Sequence, residues 1–160
     1  MALGDRRGDP RERAPVSAEV LRGEEWARSI PRADNVSGPF WQACAEGRLL
    51  IQRCPACSHR QFYPRALCTS CGATPEWEEA SGRGTVHTFT VIRQNHARPF
   101  RDLIPYVVAM VELEEGPMMM GNVTGCPVDD VRIGMPVEVY MVEVEEGLAV
   151  PFWRPRNAGA

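Results

Sequence analysis

Cys54-Pro55-Ala56-Cys57 is followed, after ten residues, by Cys68-Thr69-Ser70-Cys71-Gly72. Two Cys-x-x-Cys knuckles at this separation are the pattern of a four-thiolate zinc ribbon. Zn²⁺ takes four soft ligands in a tetrahedron, and a two-residue gap lets one tight turn aim both sulfurs at one ion. Gly72 stands where a positive φ lets the chain leave the second knuckle. Two disulfides or a redox dithiol are the alternative uses of such cysteines. With all four positions filled by Cys, the expected metal is one structural Zn²⁺ per chain, held by Cys54, Cys57, Cys68 and Cys71. A ribbon this short buries too little apolar surface to hold itself together. Metal binding supplies that free energy, on the order of 10 kcal/mol at neutral pH. His59, beside the first knuckle, reads as an exposed loop residue rather than a competing ligand.

Outward from the knuckles the chain is ordinary in size and composition. Its 160 residues suffice for one domain and a small appendage, the net charge is −3, and all eighteen basic residues are Arg. Nucleic-acid-binding domains usually carry a basic excess, so that class is not expected. No apolar run approaches membrane-spanning length. Residues 1–15 are charged and lack the apolar segment of a signal peptide. A cytoplasmic location is expected, and thiolates kept for a metal suit a reducing compartment. Cys44 and Cys126 read as small buried apolar residues.

Before the ribbon, residues 1–33 are rich in Arg, Asp, Glu and Pro. The first half should be disordered, and Ser17 is placed to cap a short helix through Leu21. Ser37-Gly38-Pro39 opens a better helix, which Gly47 stops. Phe40, Trp41, Cys44 and Ala45 give it one apolar stripe, with Phe40 and Trp41 packing either on the ribbon or following domain or on a partner subunit. Leu49 to Arg53 leads as a strand into the first knuckle, Arg60 to Pro64 returns between the knuckles, and Trp77 covers the ribbon as the chain leaves it.

From Ser81 the pattern is β. Strands are predicted over residues 84–93, 106–113, 118–124, 134–143 and 148–153 from their β-branched and aromatic content and Gly-marked turns. Five strands with one longer connection fit a small Greek-key barrel, an OB-fold first and a plain sandwich second. No catalytic constellation accompanies them. The three His residues are scattered, no Ser sits in a nucleophile elbow, and no Gly-rich phosphate loop precedes a helix. His87 reads as a strand surface residue.

The ordered set of these features resembles a known family. The set comprises the Phe40-Trp41 helix, Gly47-Arg48-Leu49, both knuckles, Tyr63-Pro64-Arg65 and Ser81-Gly82-x-Gly84-Thr85-Val86. It continues with Phe89-Thr90-Val91, Pro105-Tyr106-Val107-Val108, Val111-Glu112-Leu113, Ile133-Gly134-Met135-Pro136-Val137 and Pro151-Phe152-Trp153-Arg154-Pro155. Over residues 37–155 the chain is similar to the zinc-ribbon/OB-fold proteins that accompany acyl-CoA enzymes. The expected fold is mainly β, with an N-terminal helix, a rubredoxin-like zinc ribbon and a five-stranded OB-fold barrel. The expected organisation is a flexible arm over 1–33, the helix over 34–48, the ribbon over 49–80, the barrel over 81–155 and a tail over 156–160.

The resemblance implies a non-catalytic accessory subunit of a lipid-transfer-type thiolase or retro-aldolase. The partner would be a thiolase-fold subunit in a two-plus-two heteromer, with the CoA ester near the interface. An accessory subunit of a hot-dog-fold enoyl-CoA hydratase and a nucleic-acid-binding ribbon/OB module are the alternatives. Arg forks recognise phosphate oxygens, which makes Arg65, Arg93, Arg98 and Arg101 the candidates for CoA contact. Phe40, Trp41, Phe152 and Trp153 are the candidate interface anchors, because aromatic residues bury much area at low entropic cost. Neither nucleic acid nor membrane is expected as a partner.

Overall fold

The structure is a computed structural model, and it describes residues 20–22, by backbone, and 28–156. Strand β1 (Val20–Arg22) precedes helix α1 (Gly38–Ala45). The entry to α1 is fixed by Asp34. Its Oδ1 accepts hydrogen bonds from the Val36 and Ser37 N–H groups at 3.0 and 2.6 Å and from the Ser37 hydroxyl at 2.7 Å. These bonds to the ionised form hold the Asp34 carboxyl below its usual range. Pro39 sits in the first turn, and Gly47 takes a positive φ of 78° beyond the last.

The ribbon is a three-stranded sheet of β2 (Leu50–Arg53), β3 (Arg60–Gln61) and β4 (Glu76–Glu79), in the order β3-β2-β4. The sequence reading has the chain simply leaving the ribbon around Trp77. The structure makes this segment a full strand, antiparallel to β2 with Leu50 opposite Glu79 and Arg53 opposite Glu76. Glu-Trp-Glu-Glu has little strand propensity of its own. It is held by side chains: Arg60 grips the Glu78 carboxylate with three hydrogen bonds of 2.8 to 3.2 Å, and Arg48 reaches Glu79 at 3.3 Å.

The barrel uses β5 (Arg83–Ile92), β6 (Tyr106–Leu113), β7 (Met118–Val123), β8 (Pro136–Glu145) and β9 (Leu148–Pro155). A short helix, α2 (Arg98–Arg101), lies in the β5–β6 connection, and a single 3₁₀ turn, Val128–Asp130, lies between β7 and β8. β5, β6 and β7 pair antiparallel in sequence, β8 pairs antiparallel with both β5 and β9, and β9 meets β7 in parallel at Val123 and Trp153. That parallel contact closes the ring and excludes the sandwich. The barrel is the five-stranded OB type. His87 lies at a bulge in β5, where the register with β6 slips by one residue.

Inward residues alternate along β6 and the first part of β8, whereas β9 buries the adjacent Phe152 and Trp153. Val86, Val107, Val111, Val137, Val139, Met141 and Trp153 are almost fully buried, and one continuous core joins them to Phe40, Cys44, Leu49 and Ile51 of the helix and ribbon. Each such aliphatic side chain contributes roughly 1.5–3 kcal/mol. Two glycines permit the packing. A Cβ on Gly121 would stand 2.8 Å from the Trp153 ring, and one on Gly84 would stand 2.5 Å from Val111 and 2.7 Å from the Glu112 carbonyl.

The expected arm over 1–33 and tail over 156–160 fall mostly outside the described residues. The helix expected to start at Ser17 is corrected at its described end. Val20–Arg22 is a strand, parallel to β8 opposite Met141 to Glu143. There β5 has already left the edge of β8, pairing only with residues 136–138, so backbone groups stand free to bond. Tertiary pairing overrides a weak local helix signal. Among the described residues no helix is long and apolar enough to cross a membrane.

Candidate metal centre and the surfaces around it

The two knuckles are built alike. In the first, the Ser58 N–H bonds the Cys54 carbonyl and the Cys54 N–H bonds that of His59, each at 2.8 Å; in the second, Gly72 bonds Cys68 at 2.9 Å and Cys68 bonds Ala73 at 2.8 Å. Ser58 and Gly72 occupy the same place in this repeat, and both are left-handed, with φ of 61° and 77°. The turns bring the sulfurs of Cys54, Cys57, Cys68 and Cys71 within 4.8 Å of one another. The closest pairs are Cys54–Cys71 at 3.5 Å and Cys57–Cys68 at 3.7 Å. A tetrahedron with Zn–S bonds of ~2.3 Å has edges of about 3.8 Å, so the donor set fits that ion. Cys54 and Cys68 are buried, while Cys57 and Cys71 face solvent.

The thiols also respond to one another. The Cys71 N–H, and then the Ser70 N–H against the opposing effect of burial, bring the Cys68 thiol down to about 6. The Ala73 N–H lowers the Cys71 thiol, but the Cys57 and Cys54 sulfurs outweigh it and hold it up at about 12. His59 bonds the Thr69 hydroxyl at 3.1 Å, tying one knuckle to the other from outside the ligand set.

Beneath the centre lies a polar pair that the sequence reading misses. Gln52 and Gln61 face each other across β2 and β3, both buried. The Gln61 amide donates to Gln52 Oε1 at 2.9 Å and to the Leu67 carbonyl at 3.3 Å, and its oxygen accepts the Thr69 N–H at 2.9 Å. Gln52 accepts the Arg65 N–H at 2.8 Å and donates to the Arg65 carbonyl at 3.0 Å. Two glutamines in register on strands that flank a knuckle are the only signal, and spacing alone does not distinguish them from surface residues.

The four Arg candidates fall into two places. Arg65 is exposed in the ribbon loop between the knuckles. Arg93, Arg98 and Arg101 belong to the β5–β6 connection, and no described contact links them to Arg65. Arg93 pairs with Asp129 at 2.6 Å and Arg101 lies 3.5 Å from Asp102. Phe100 anchors this connection by stacking on Tyr106 with centroids 6.0 Å apart, and the Arg28 guanidinium lies 5.4 Å from Phe100 and 5.5 Å from Phe152. Arg98 and Arg101 are left exposed.

Three of the four interface candidates are corrected by their burial. Phe40, Phe152 and Trp153 are 1%, 7% and 0% exposed, so their side chains offer no area to a partner. They fill the core because helix α1 packs directly on β9. Trp41 is half-buried against Phe40, with ring centroids 4.9 Å apart. Cys44 is buried as expected, and burial pushes its thiol up to about 12. Cys126 is partly buried, and His87 is exposed, 3.8 Å from Glu112.

Known proteins share this arrangement. The family model described as "ChsH2, rubredoxin-like zinc ribbon domain" matches residues 41–78, and "ChsH2, C-terminal OB-fold domain" matches 77–150. A probable enoyl-CoA hydratase alpha subunit from Thermomonospora curvata is 38% identical over 126 residues. The match covers 77% of this chain and 39% of that protein, so the chain spans well under half of that relative's length. A DUF35 domain-containing scaffold protein from Methanocaldococcus jannaschii is 38% identical over 111 residues, 66% of this chain and 77% of that one. Among solved structures, the chain is similar to one of an Ltp2-ChsH2(DUF35) aldolase, with 35% identity and a TM-score of 0.70 over 79% of this chain and 98% of that chain. With a ribbon followed by an OB-fold barrel over the same residues, this chain belongs to the ChsH2 (DUF35) family.

Proposed function

We propose that this chain is a non-catalytic accessory subunit of an acyl-CoA enzyme, with a thiolase-fold aldolase or thiolase subunit as its partner. The observation that carries the reading is the likeness to the Ltp2-ChsH2(DUF35) aldolase structure, which covers nearly all of that chain. The chemistry agrees: the described pair of a base with a hydroxyl, His59 and Thr69, lies exposed across the knuckles with the hydroxyl also given to Gln61, and the four convergent cysteines have every position filled by sulfur. In this reading one Zn²⁺ per chain is structural. The nucleophile and bases belong to the partner, and the assembly holds two copies of each chain.

In this reading Arg98 and Arg101, exposed on a connection anchored through Phe100, meet the CoA phosphates, and Arg93, paired with Asp129, belongs to the same connection. Trp41 remains the aromatic candidate for the partner interface. The test is to assay the thiolase-fold subunit with and without this chain over a range of CoA esters. Dependence of activity or solubility on the chain supports the role; full activity of the partner alone rejects it, and turnover by this chain alone rejects its non-catalytic character.

The name of the Thermomonospora relative, an enoyl-CoA hydratase alpha subunit, favours a second reading with a hydratase subunit as partner. The same assay with enoyl-CoA substrates and that subunit separates the two.

A further inference from the structure

We infer that residues 63–67, the loop between the knuckles, form a pre-organised docking tip for the enzyme subunit, with Arg65 paired to a carboxylate that lies in an apolar patch of that subunit. The inference rests on the accessory-subunit reading above and adds to it a surface and a partner chemistry.

The loop combines exposure with rigidity. Tyr63 and Leu67 are 42% and 56% exposed, a large apolar area for a segment of five residues. Yet Tyr63 leans on Phe40 and Phe62, with ring centroids 6.3 and 5.5 Å away. The Leu67 carbonyl is held by Gln61, and both backbone groups of Arg65 are held by Gln52. Pro64, between them, is buried. Exposed apolar side chains on a backbone fixed from below lose little entropy on binding. Tyr and Arg are also the residue types that dominate interface energetics.

The same bonds decide what Arg65 recognises. Phosphate sites gather several donors, commonly backbone N–H groups beside the cation. Here the Arg65 N–H is already spent on Gln52, and exposed flanking positions carry Tyr63, Ala66 and Leu67 rather than further cations. One guanidinium in an apolar rim matches one carboxylate, gripped at two points. Its side chain has no ion partner among the described residues, so the charge is available. Arg65 is thereby separated in role from Arg98 and Arg101.

The experiment titrates the full chain, loaded with zinc, against the co-expressed thiolase-fold subunit and measures the dissociation constant, the bound zinc and the KM for the CoA ester. Arg65→Glu is expected to weaken assembly roughly 30-fold, Leu67→Ser about fivefold, and Arg65→Lys less than Arg65→Glu, all with zinc content and thermal midpoint unchanged. Dissociation constants of Arg65→Glu and Leu67→Ser within about threefold of the parent overturn the proposal. A raised KM for the CoA ester with unaltered assembly also overturns it, by making Arg65 a ligand contact. If the unsubstituted chain does not assemble with the subunit at all, the accessory reading itself fails, an outcome distinct from the other two.

Discussion

In the barrel, Val86, Val107, Val111, Val137 and Val139 turn inward with almost no exposure, whereas the inner position shared by β2 and β3 of the ribbon holds Gln52 and Gln61. The barrel removes apolar area from water over five strands. The ribbon has too few residues for that. It uses a directed set of hydrogen bonds and four converging sulfurs. The difference teaches where each region is vulnerable: the barrel to changes of volume, the ribbon to loss of a single directed contact.

Removing the metal breaks the comparison most strongly. Cys68→Ser, or a high-affinity chelator, is expected to abolish ordered structure over 50–79, with about 10 kcal/mol of binding free energy lost. Hydrogen exchange should show those amides losing protection while Val107, Ala109 and Val111 retain it; parallel loss in both regions would mean that the barrel cannot stand alone. Elemental analysis of the parent protein should find one zinc per chain.

Gly121→Ala attacks the barrel alone. The new methyl group meets the Trp153 ring at 2.8 Å, and overpacking of this kind costs roughly 1–3 kcal/mol. Chemical denaturation should register that loss at constant zinc stoichiometry. Gln61→Leu tests the polar interior of the ribbon. It leaves the Thr69 N–H and the Leu67 carbonyl without their partner, at about 1–3 kcal/mol, and thermal unfolding of the zinc-loaded chain should detect it. A neutral result would show that the ribbon tolerates an apolar interior after all. The smallest effect is a gain: Ser58 holds the left-handed position that Gly72 holds in the other knuckle, so Ser58→Gly should stabilise by about 0.5–1 kcal/mol, seen as a higher chelator concentration for half-release of zinc.

The regions also differ in how far they could be read from sequence. Knuckle spacing carries the metal site because ligand chemistry admits few alternatives, and the β-branched runs place all five barrel strands within a few residues. Strand β4 escaped, since Glu76-Trp77-Glu78-Glu79 is extended through pairing with β2 and contacts from Arg48 and Arg60, all nonlocal in sequence. For Phe40-Trp41 the sequence leaves internal packing and a partner interface both open, and the burial of Phe40, Phe152 and Trp153 depends on α1 lying against β9, a contact between segments more than a hundred residues apart. The closing contact of the barrel is likewise nonlocal. It distinguishes the barrel from a sandwich through the parallel contact at Val123 and Trp153, which strand count does not reveal.

Trp153 carries a consequence for the order of events during synthesis. The strand that holds it pairs with β8, closes the ring on β7, lies beneath Gly121 and covers α1. A ribosome adding about 5–20 residues per second reaches it some 4–14 s after the start of β5. Through that interval the apolar stripe of α1 stands uncovered, and the edges of β7 and β8 stand open from the time each emerges, as templates for pairing with other nascent chains. The knuckles emerge earlier and need only local contacts, so metal can enter before the barrel shuts. Nascent chains stalled after β8 should therefore hold zinc yet remain sensitive to protease throughout the barrel; resistance at that stage would show that the ring forms without its last strand.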